Sequence, residues 1–270
     1  MRLSEAVRAN GIDTFNVEDF QFVGSKLASD PDRLILVGGQ AIEVWGHYFD
    51  VLPPTGNQEP LTEDIDWYGG KKDAIWLCSL LGGKSTTELL LAKDFDPSLS
   101  TALAYLERPD GRILMMDFLR GMVGLTTEQI TKFAVSIVAS DVKLNVLHPL
   151  YCLESRLANL ANLPHKRNTN GIMQAEWTID IAEAYLLRMR AGGASDKDML
   201  KGCTQIAESA EFRSGPYCYR NYKIDPLRAV SDRVLAAIGG RFVTDDWPRR
   251  LQRIKAKREK LVSYSFKLPS

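Results

Sequence analysis

The chain has 270 residues, of which 45% are hydrophobic and 25% are charged, and its formal net charge at pH 7 is zero. This composition is typical of a folded globular protein and argues against a disordered or fibrous chain. No apolar stretch approaches the roughly 18 residues of a membrane span, and the N-terminus has no signal-peptide pattern. The four cysteines form no C-x-x-C pair, as expected for reduced thiols in a cytoplasmic protein without a membrane partner.

Charge is unevenly distributed along the chain. Residues 212–270 contain 14 Lys and Arg against 5 Asp and Glu, a net charge of +9, so the preceding residues carry −9. A basic segment of this kind indicates a polyanionic partner, with RNA as the first candidate. The alternative is the solvated face of an amphipathic helix, because Leu251, Ile254 and Leu261 recur at near-helical spacing in the densest basic run.

The first half of the chain mixes strand and helix patterns, whereas the second half is helical throughout. In chain order the periodicity predicts short helices within 1–30, a strand over 33–37, a helix over 41–49, a loop over 50–60, a strand over 61–68, a helix over 71–81, a strand over 87–92, a hairpin of 101–107 and 112–119, and another helix and strand up to 147. After Pro149 it predicts helices over 150–163, 172–191, 195–212, 225–238 and 247–262. We therefore predict an α+β chain, with a mixed sheet flanked by helices in a domain over 1–147 and a C-terminal helical bundle over 148–270.

Three aspartates in the first domain predict a metal site. Asp64 and Asp66 are two residues apart at the end of a predicted strand, so their carboxylates project from the same face about 6–7 Å apart. Asp117 lies in another apolar strand, where a lone carboxylate is costly to bury unless it is paired or binds a metal. If the two strands are neighbours, the cluster can hold two Mg²⁺ ions, or Mn²⁺, about 3.5–4 Å apart, which is the spacing of two-metal phosphoryl-transfer sites.

Gly38 and Gly39 follow the first predicted strand and precede a helix. Glycine lets backbone N–H groups approach a ligand closely, and a helix N-terminus favours negative charge. The pair therefore predicts contacts with the phosphates of a nucleotide.

These residues resemble the pattern of the DNA polymerase β-like nucleotidyltransferases, and within that superfamily the AbiEii/AbiGii toxin type. The resemblance rests on the segments 36–39 and 62–66, on Asp117 in a later strand, and on the segment 148–160, which resembles the start of the helical half in these toxins. It implies a nucleotidyltransferase fold. The implied roles are metal binding by Asp64 and Asp66, metal binding and activation of the acceptor hydroxyl by Asp117, and nucleotide binding by Gly38, Gly39, Thr62 and Arg156.

The predicted function is Mg²⁺-dependent transfer of a nucleoside monophosphate from an NTP to an acceptor hydroxyl. The resemblance implies RNA or tRNA as the acceptor in a toxin–antitoxin or phage-defence setting, with an antitoxin protein as a partner. The alternatives are a small-molecule acceptor of the antibiotic type, a kinase, and a catalytically inactive member of the fold that binds nucleotide or RNA.

Other motifs predict structure rather than chemistry. Residues 83–85 match the last three residues of the phosphate-binding P-loop motif, but Cys78 occupies the position of the first glycine of that motif. Residues 94–96 repeat the Asp-x-Asp pattern without an upstream Gly-Gly pair, which favours a turn or helix cap. Trp45 and Trp67 are expected in the core.

Overall fold

A computed structural model describes residues 2–54, 63–139 and 142–265. The chain divides into two compact units, Met1–Cys152 and Leu153–Ser270. The division lies a few residues after the predicted boundary at 147, inside a helix. No helix among the described residues is both long enough and apolar enough to cross a membrane.

The first unit contains both strands and helices. Its strands are β1 (Ile35–Val37), β2 (Asp64–Tyr68), β3 (Thr87–Leu91), β4 (Ser100–Glu107), β5 (Ile113–Leu119), β6 (Val135–Ala139) and β7 (Val142–Val146). Its helices are α1 (Leu3–Asn10), α2 (Val17–Leu27), α3 (Gly38–Phe49), α4 (Lys71–Leu80) and α5 (Thr127–Thr131), and α6 (Pro149–Asn162) begins near its end.

The strands form one mixed sheet in the order β3-β4-β5-β2-β1-β7-β6. The central strand β2 runs antiparallel to β1 and parallel to β5. The pairs β3–β4, β4–β5 and β6–β7 are antiparallel, and β1 and β7 are parallel. A seven-stranded mixed sheet with helices confirms the predicted α+β class.

The two faces of the sheet differ in polarity. Along β2 and β5 every second side chain is fully buried; these are Ile65, Trp67, Leu114, Met116 and Phe118. Helix α2 covers this apolar face, where Gly24 approaches Val142 of β7 so closely that an added Cβ would be 2.6 Å from its Cγ1. The alternate side chains of β2 and β5 lie on the opposite, partly exposed face.

A buried ion cluster fixes the β4–β5 hairpin to α2. The Asp19 carboxylate is fully buried and accepts hydrogen bonds from Arg108 Nε (2.9 Å) and from Arg112 Nη1 (2.6 Å). The Arg108 guanidinium also stacks over the ring of Phe22, 4.2 Å from its centroid. Because a buried carboxylate is tolerated only when it is paired, this cluster fixes the position of the hairpin that contains β5.

Two predictions for the first unit are wrong in detail. One helix and one strand were expected before residue 147, but two short strands, β6 and β7, follow α5. The Asp64–Asp66 pair lies at the start of its strand, not at the end. The loop predicted over 50–60 can be assessed only through residue 54, because 55–62 fall outside the described residues.

The elements described in the second unit are helices and helical turns. After α6 these are α7 (Thr169–Ala191), α8 (Asp196–Glu211), α9 (Gly215–Tyr222), α10 (Asp232–Ile238) and α11 (Trp247–Ser265). Helix α9 was not predicted. The single helix expected over 225–238 is wrong, because Ser231 caps a new helix by accepting from the Val234 N–H. A bundle arrangement of these helices stays a prediction.

Candidate active site

Asp66 and Asp117 lie directly opposite each other on the neighbouring parallel strands β2 and β5. Paired residues of adjacent strands are about 4.8 Å apart and project from the same face. Asp64, two residues before Asp66, lies on this same partly exposed face, opposite Met115. The structure therefore brings the three predicted aspartates to one open face of the sheet, although their catalytic role stays a prediction.

The carboxylates do not form a closed metal cage. Within the three described ranges, no group of three or more His, Cys, Asp and Glu side chains is arranged to hold a metal ion. Mg²⁺ usually binds one or two protein carboxylates and completes its coordination with water and substrate phosphates. An open arrangement of carboxylates is compatible with that mode of binding.

Gly38 forms the second side of the site. It is the first residue of α3 and follows Val37, which pairs with Asp66 across β1 and β2. Its φ is +70°, and a Cβ at this position would lie 1.8 Å from Asp66 Oδ2. Glycine is needed here because the Asp66 carboxylate occupies the space of a side chain. Gly39, the next residue of α3, is buried.

Sequence reasoning missed Ser100, the first residue of β4. Its hydroxyl donates a hydrogen bond to Asp117 Oδ1 at 2.5 Å. Nothing in the local sequence distinguishes Ser100 from the loop serine Ser98. Only the pairing of β4 with β5 reveals the contact.

The described structure does not test two predicted nucleotide-binding residues. Thr62 lies outside the described residues. Arg156 belongs to the second unit, where it is buried and donates from Nη1 to Gln174 Oε1 on α7 at 2.8 Å. Their contacts with a nucleotide stay predictions.

A cleft of about 600 Å³ lies near the end of β2 that is farther from Asp64. Tyr68, two residues after Asp66 on the same strand and face, lines it. The Arg33–Asp73 ion pair, with Nε and Oδ1 2.8 Å apart, lies on its wall. The cleft thus has both signs of charge on its wall, near the end of β2.

The second unit contains a groove with a basic rim, about 520 Å³ in volume. Its cations are Arg220, Lys223, Lys255 and Arg258. Arg258 is already engaged, because it makes two hydrogen bonds to Asp225 and lies 3.8 Å from the ring centroid of Tyr219. The other three are exposed and form no ion pair with a carboxylate in the described part of the chain.

His148 begins the segment that carries the toxin-type resemblance. Its Nδ1 accepts a hydrogen bond from the Leu150 N–H (3.2 Å) at the start of α6. Burial lowers the pKa of His148 to about 4, so the ring is neutral near pH 7 and able to accept this bond. The contact caps the helix, because it gives a partner to a backbone N–H of the first turn, which has none within the helix.

The weaker motifs have structural roles. Residues 83–85 form a 3₁₀ turn, and Asp94 is an exposed carboxylate paired with Lys71. Trp45 and Trp67 are buried, as predicted. All four cysteines are buried thiols, and burial raises the pKa of Cys78 to about 11, so this thiol stays protonated near neutral pH.

No protein-family model matches the chain, and no curated protein matches it. A crystal structure of an antigenic nucleotidyltransferase-like protein from Paracoccidioides brasiliensis is similar at 17% identity and a TM-score of 0.36, covering 59% of this chain and 73% of that chain. The Megavirus polyadenylate synthase is similar at 9% identity and a TM-score of 0.35, covering 67% of this chain and 39% of that chain. Scores this low establish neither a shared fold nor a shared activity.

Proposed function

We propose that this chain is a Mg²⁺-dependent nucleotidyltransferase that transfers a nucleoside monophosphate from an NTP to an acceptor hydroxyl. One observation carries the proposal: Asp66 and Asp117 are in register on adjacent parallel strands, with Asp64 on the same face. Three like charges gathered on an open face repel one another, and a cation bound between them offsets this repulsion.

The residues present fit a hard divalent cation. Asp64, Asp66 and Asp117 would hold two Mg²⁺ ions, or Mn²⁺, through oxygen ligands, which these ions prefer. The close approach of Gly38 to Asp66 Oδ2 also supports a metal site, since the Gly38 backbone restricts the position of that carboxylate. When bound, such ions would neutralise triphosphate charge and favour ionisation of the acceptor hydroxyl.

The protein residues then position the reactants. The acceptor oxygen forms a bond to the α-phosphorus, the bond from that phosphorus to the β-phosphate oxygen breaks, and pyrophosphate leaves with the electron pair. Asp117 accepts the proton of the attacking hydroxyl. Gly38 and Gly39, at the start of α3, place backbone N–H groups near the phosphates, where a helix N-terminus favours negative charge.

Transfer of label distinguishes this reaction from its rivals. We expect protein incubated with Mg²⁺, an NTP and total RNA to move label from the α-phosphate, but not from the γ-phosphate, into the acceptor, with release of pyrophosphate. Each of the four NTPs is tested in turn. Transfer of the γ label would indicate a kinase, and binding of NTP with no transfer of either label would indicate an inactive member of the fold.

We propose RNA, including tRNA, as the acceptor. The support is the basic groove, whose cations Arg220, Lys223 and Lys255 are exposed at its rim. Phosphate contacts by such side chains release counterions, so binding weakens steeply with salt. The AbiEii/AbiGii toxin type and an antitoxin partner belong to this proposal through the sequence resemblance, and a cytoplasmic location through the spacing of the cysteines.

The double variant Lys223→Glu/Lys255→Glu is expected to weaken binding of a labelled 20-nucleotide RNA by at least about tenfold at low salt, measured by fluorescence anisotropy. The slope of log affinity against log salt should fall by about 0.7 for each phosphate that the variant no longer neutralises. The matched control is the double variant Lys197→Glu/Lys201→Glu, which makes the same charge change at two exposed positions of α8. An equally weak binding by the control would show that the groove has no specific role.

A polar small molecule is the second candidate acceptor. It is favoured by the cleft at Tyr68, a residue two positions after Asp66 on the same face of β2, and by the Arg33–Asp73 ion pair on the wall of that cleft. A site with both signs of charge suits a polar or zwitterionic ligand better than a polyanion. In the labelling experiment, label in a small product instead of in acid-precipitable RNA would identify this reaction.

A further inference from the structure

The strand β4 contains an irregularity beside the aspartates. Its pairing with β5 places Ala102 opposite Phe118 and Leu103 opposite Asp117, but Ser100 opposite Leu119. One extra residue, Thr101, is therefore inserted in β4. Such a β-bulge reverses the face to which the preceding side chain points.

The bulge determines which hydroxyl faces the site. In the regular register Thr101 would lie opposite Leu119 and Ser100 would point to the buried face. With the bulge, Thr101 is buried and its hydroxyl donates to the carbonyl of Phe118 at 2.9 Å. Ser100 instead lies on the face of Asp117 and donates to its Oδ1 at 2.5 Å.

From this geometry we propose that Ser100 is a positioning residue for nucleotidyl transfer. Its hydroxyl holds the Asp117 carboxylate in the orientation that faces Asp66 and the bound substrate. Hydrogen bonds from a hydroxyl to an ionised carboxylate are short and roughly twice as strong as neutral ones. The inference rests on the proposed function and adds a residue that acts through Asp117.

Thr101, not Ser100, stabilises the bulge. Thr101 bonds the carbonyls of Phe118 and Gly69, at 2.9 and 3.2 Å, and so fixes the bulge to β5 and to the end of β2. Ser100 makes its side-chain bond to a functional carboxylate, not to backbone. Removing the Ser100 hydroxyl is therefore expected to leave the bulge and the fold in place.

The test compares Ser100→Ala and Ser100→Thr with the wild type. Loss of a partner that orients a metal-binding carboxylate typically costs about 10–100-fold in affinity or activity. We expect Ser100→Ala to lower kcat by about that factor and to weaken Mn²⁺ binding, measured by electron paramagnetic resonance without nucleotide, by about tenfold. The KM for NTP and the thermal midpoint should stay near wild type, and Ser100→Thr should recover most of both properties.

Controls separate the possible failures. Ser79→Ala removes an exposed hydroxyl on α4 and should change neither readout. If Ser100→Ala does not fold, the test compares Ser100→Thr with Ser100→Val, because threonine and valine have the same shape but only threonine has a hydroxyl. Equal activity of these two variants overturns the inference. If the wild type is active and Ser100→Ala is equally active, the role of Ser100 is overturned but the proposed function is not. A wild type that neither binds Mn²⁺ nor transfers label overturns the proposed function with it.

Discussion

Asp66→Asn is expected to reduce transfer of the α-labelled nucleotide by on the order of 10³-fold, because a ligand of a catalytic cation contributes several kcal/mol to transition-state stabilisation. Asparagine has the same shape and keeps one oxygen, so the contact with Gly38 is retained. The charge opposite Asp117 is removed, and one acceptor oxygen becomes an NH₂ donor. The measurement is single-turnover transfer at saturating Mg²⁺ and NTP.

The fold should survive this substitution. Two carboxylates about 5 Å apart repel each other by about 1–3 kcal/mol at an effective dielectric constant between 80 and 20, and removing one of them relieves that repulsion. We therefore expect Mg²⁺ to raise the thermal midpoint of the wild type but not that of Asp66→Asn, since only a state that binds the ion is stabilised by it.

Asp94→Asn is the matched control for Asp66→Asn. Asp94 also belongs to an Asp-x-Asp pair, but it is exposed and bonded to Lys71 at the surface, where an ion pair contributes little. It should retain wild-type activity and the response to Mg²⁺. If Asp66→Asn were as active as Asp94→Asn, the cluster on β2 and β5 would not be the active site.

Local periodicity was sufficient to predict the parts of the site that are close in sequence. The shared face of Asp64 and Asp66 follows from the alternation of side chains along any strand. The strand–Gly-Gly–helix unit follows from an apolar run, a glycine pair and a resumed helical spacing, and it is present as β1 and α3. Both depend only on neighbours within a few residues.

The pairing of strands could not be predicted in the same way. That β5 lies parallel to β2, with Asp117 opposite Asp66, depends on which strands become neighbours in a sheet of seven. The bulge at Thr101 is harder still, because one inserted residue exchanges the faces of Ser100 and Thr101 without any change in composition. Ser100 was therefore missed, although its neighbour Asp117 was predicted.

Counting charges overestimated the basic surface of the second unit. Several of the cations that give residues 212–270 their net charge of +9 are paired. Carboxylates that precede this segment pair with three of its cations: Glu211 with Arg253, Glu176 with Arg228 and Glu154 with Arg213. A sequence count cannot separate paired from available cations, so the groove rim, not the whole segment, carries the RNA proposal.

Gly38→Ala is expected to disable the site without replacing a charged residue. The added methyl would lie 1.8 Å from Oδ2 and 2.7 Å from Cβ of Asp66. Rotation of the carboxylate relieves the first clash but not the second, so β2 or the start of α3 must shift. Since a displacement of about 1 Å at a reacting group can cost 10²-fold, we expect transfer to fall by at least about that factor.

Gly83→Ala separates backbone strain from this clash. Gly83 also has a positive φ (+59°), yet nothing lies within 4 Å of its added Cβ. Both variants should lose about 1–2 kcal/mol of unfolding free energy to left-handed strain, measured by urea denaturation, and Gly38→Ala should lose a further 1–3 kcal/mol or so to overpacking. Only Gly38→Ala should lose transfer and Mn²⁺ binding. If both variants kept full activity, the contact between Gly38 and Asp66 would have no part in positioning the carboxylate.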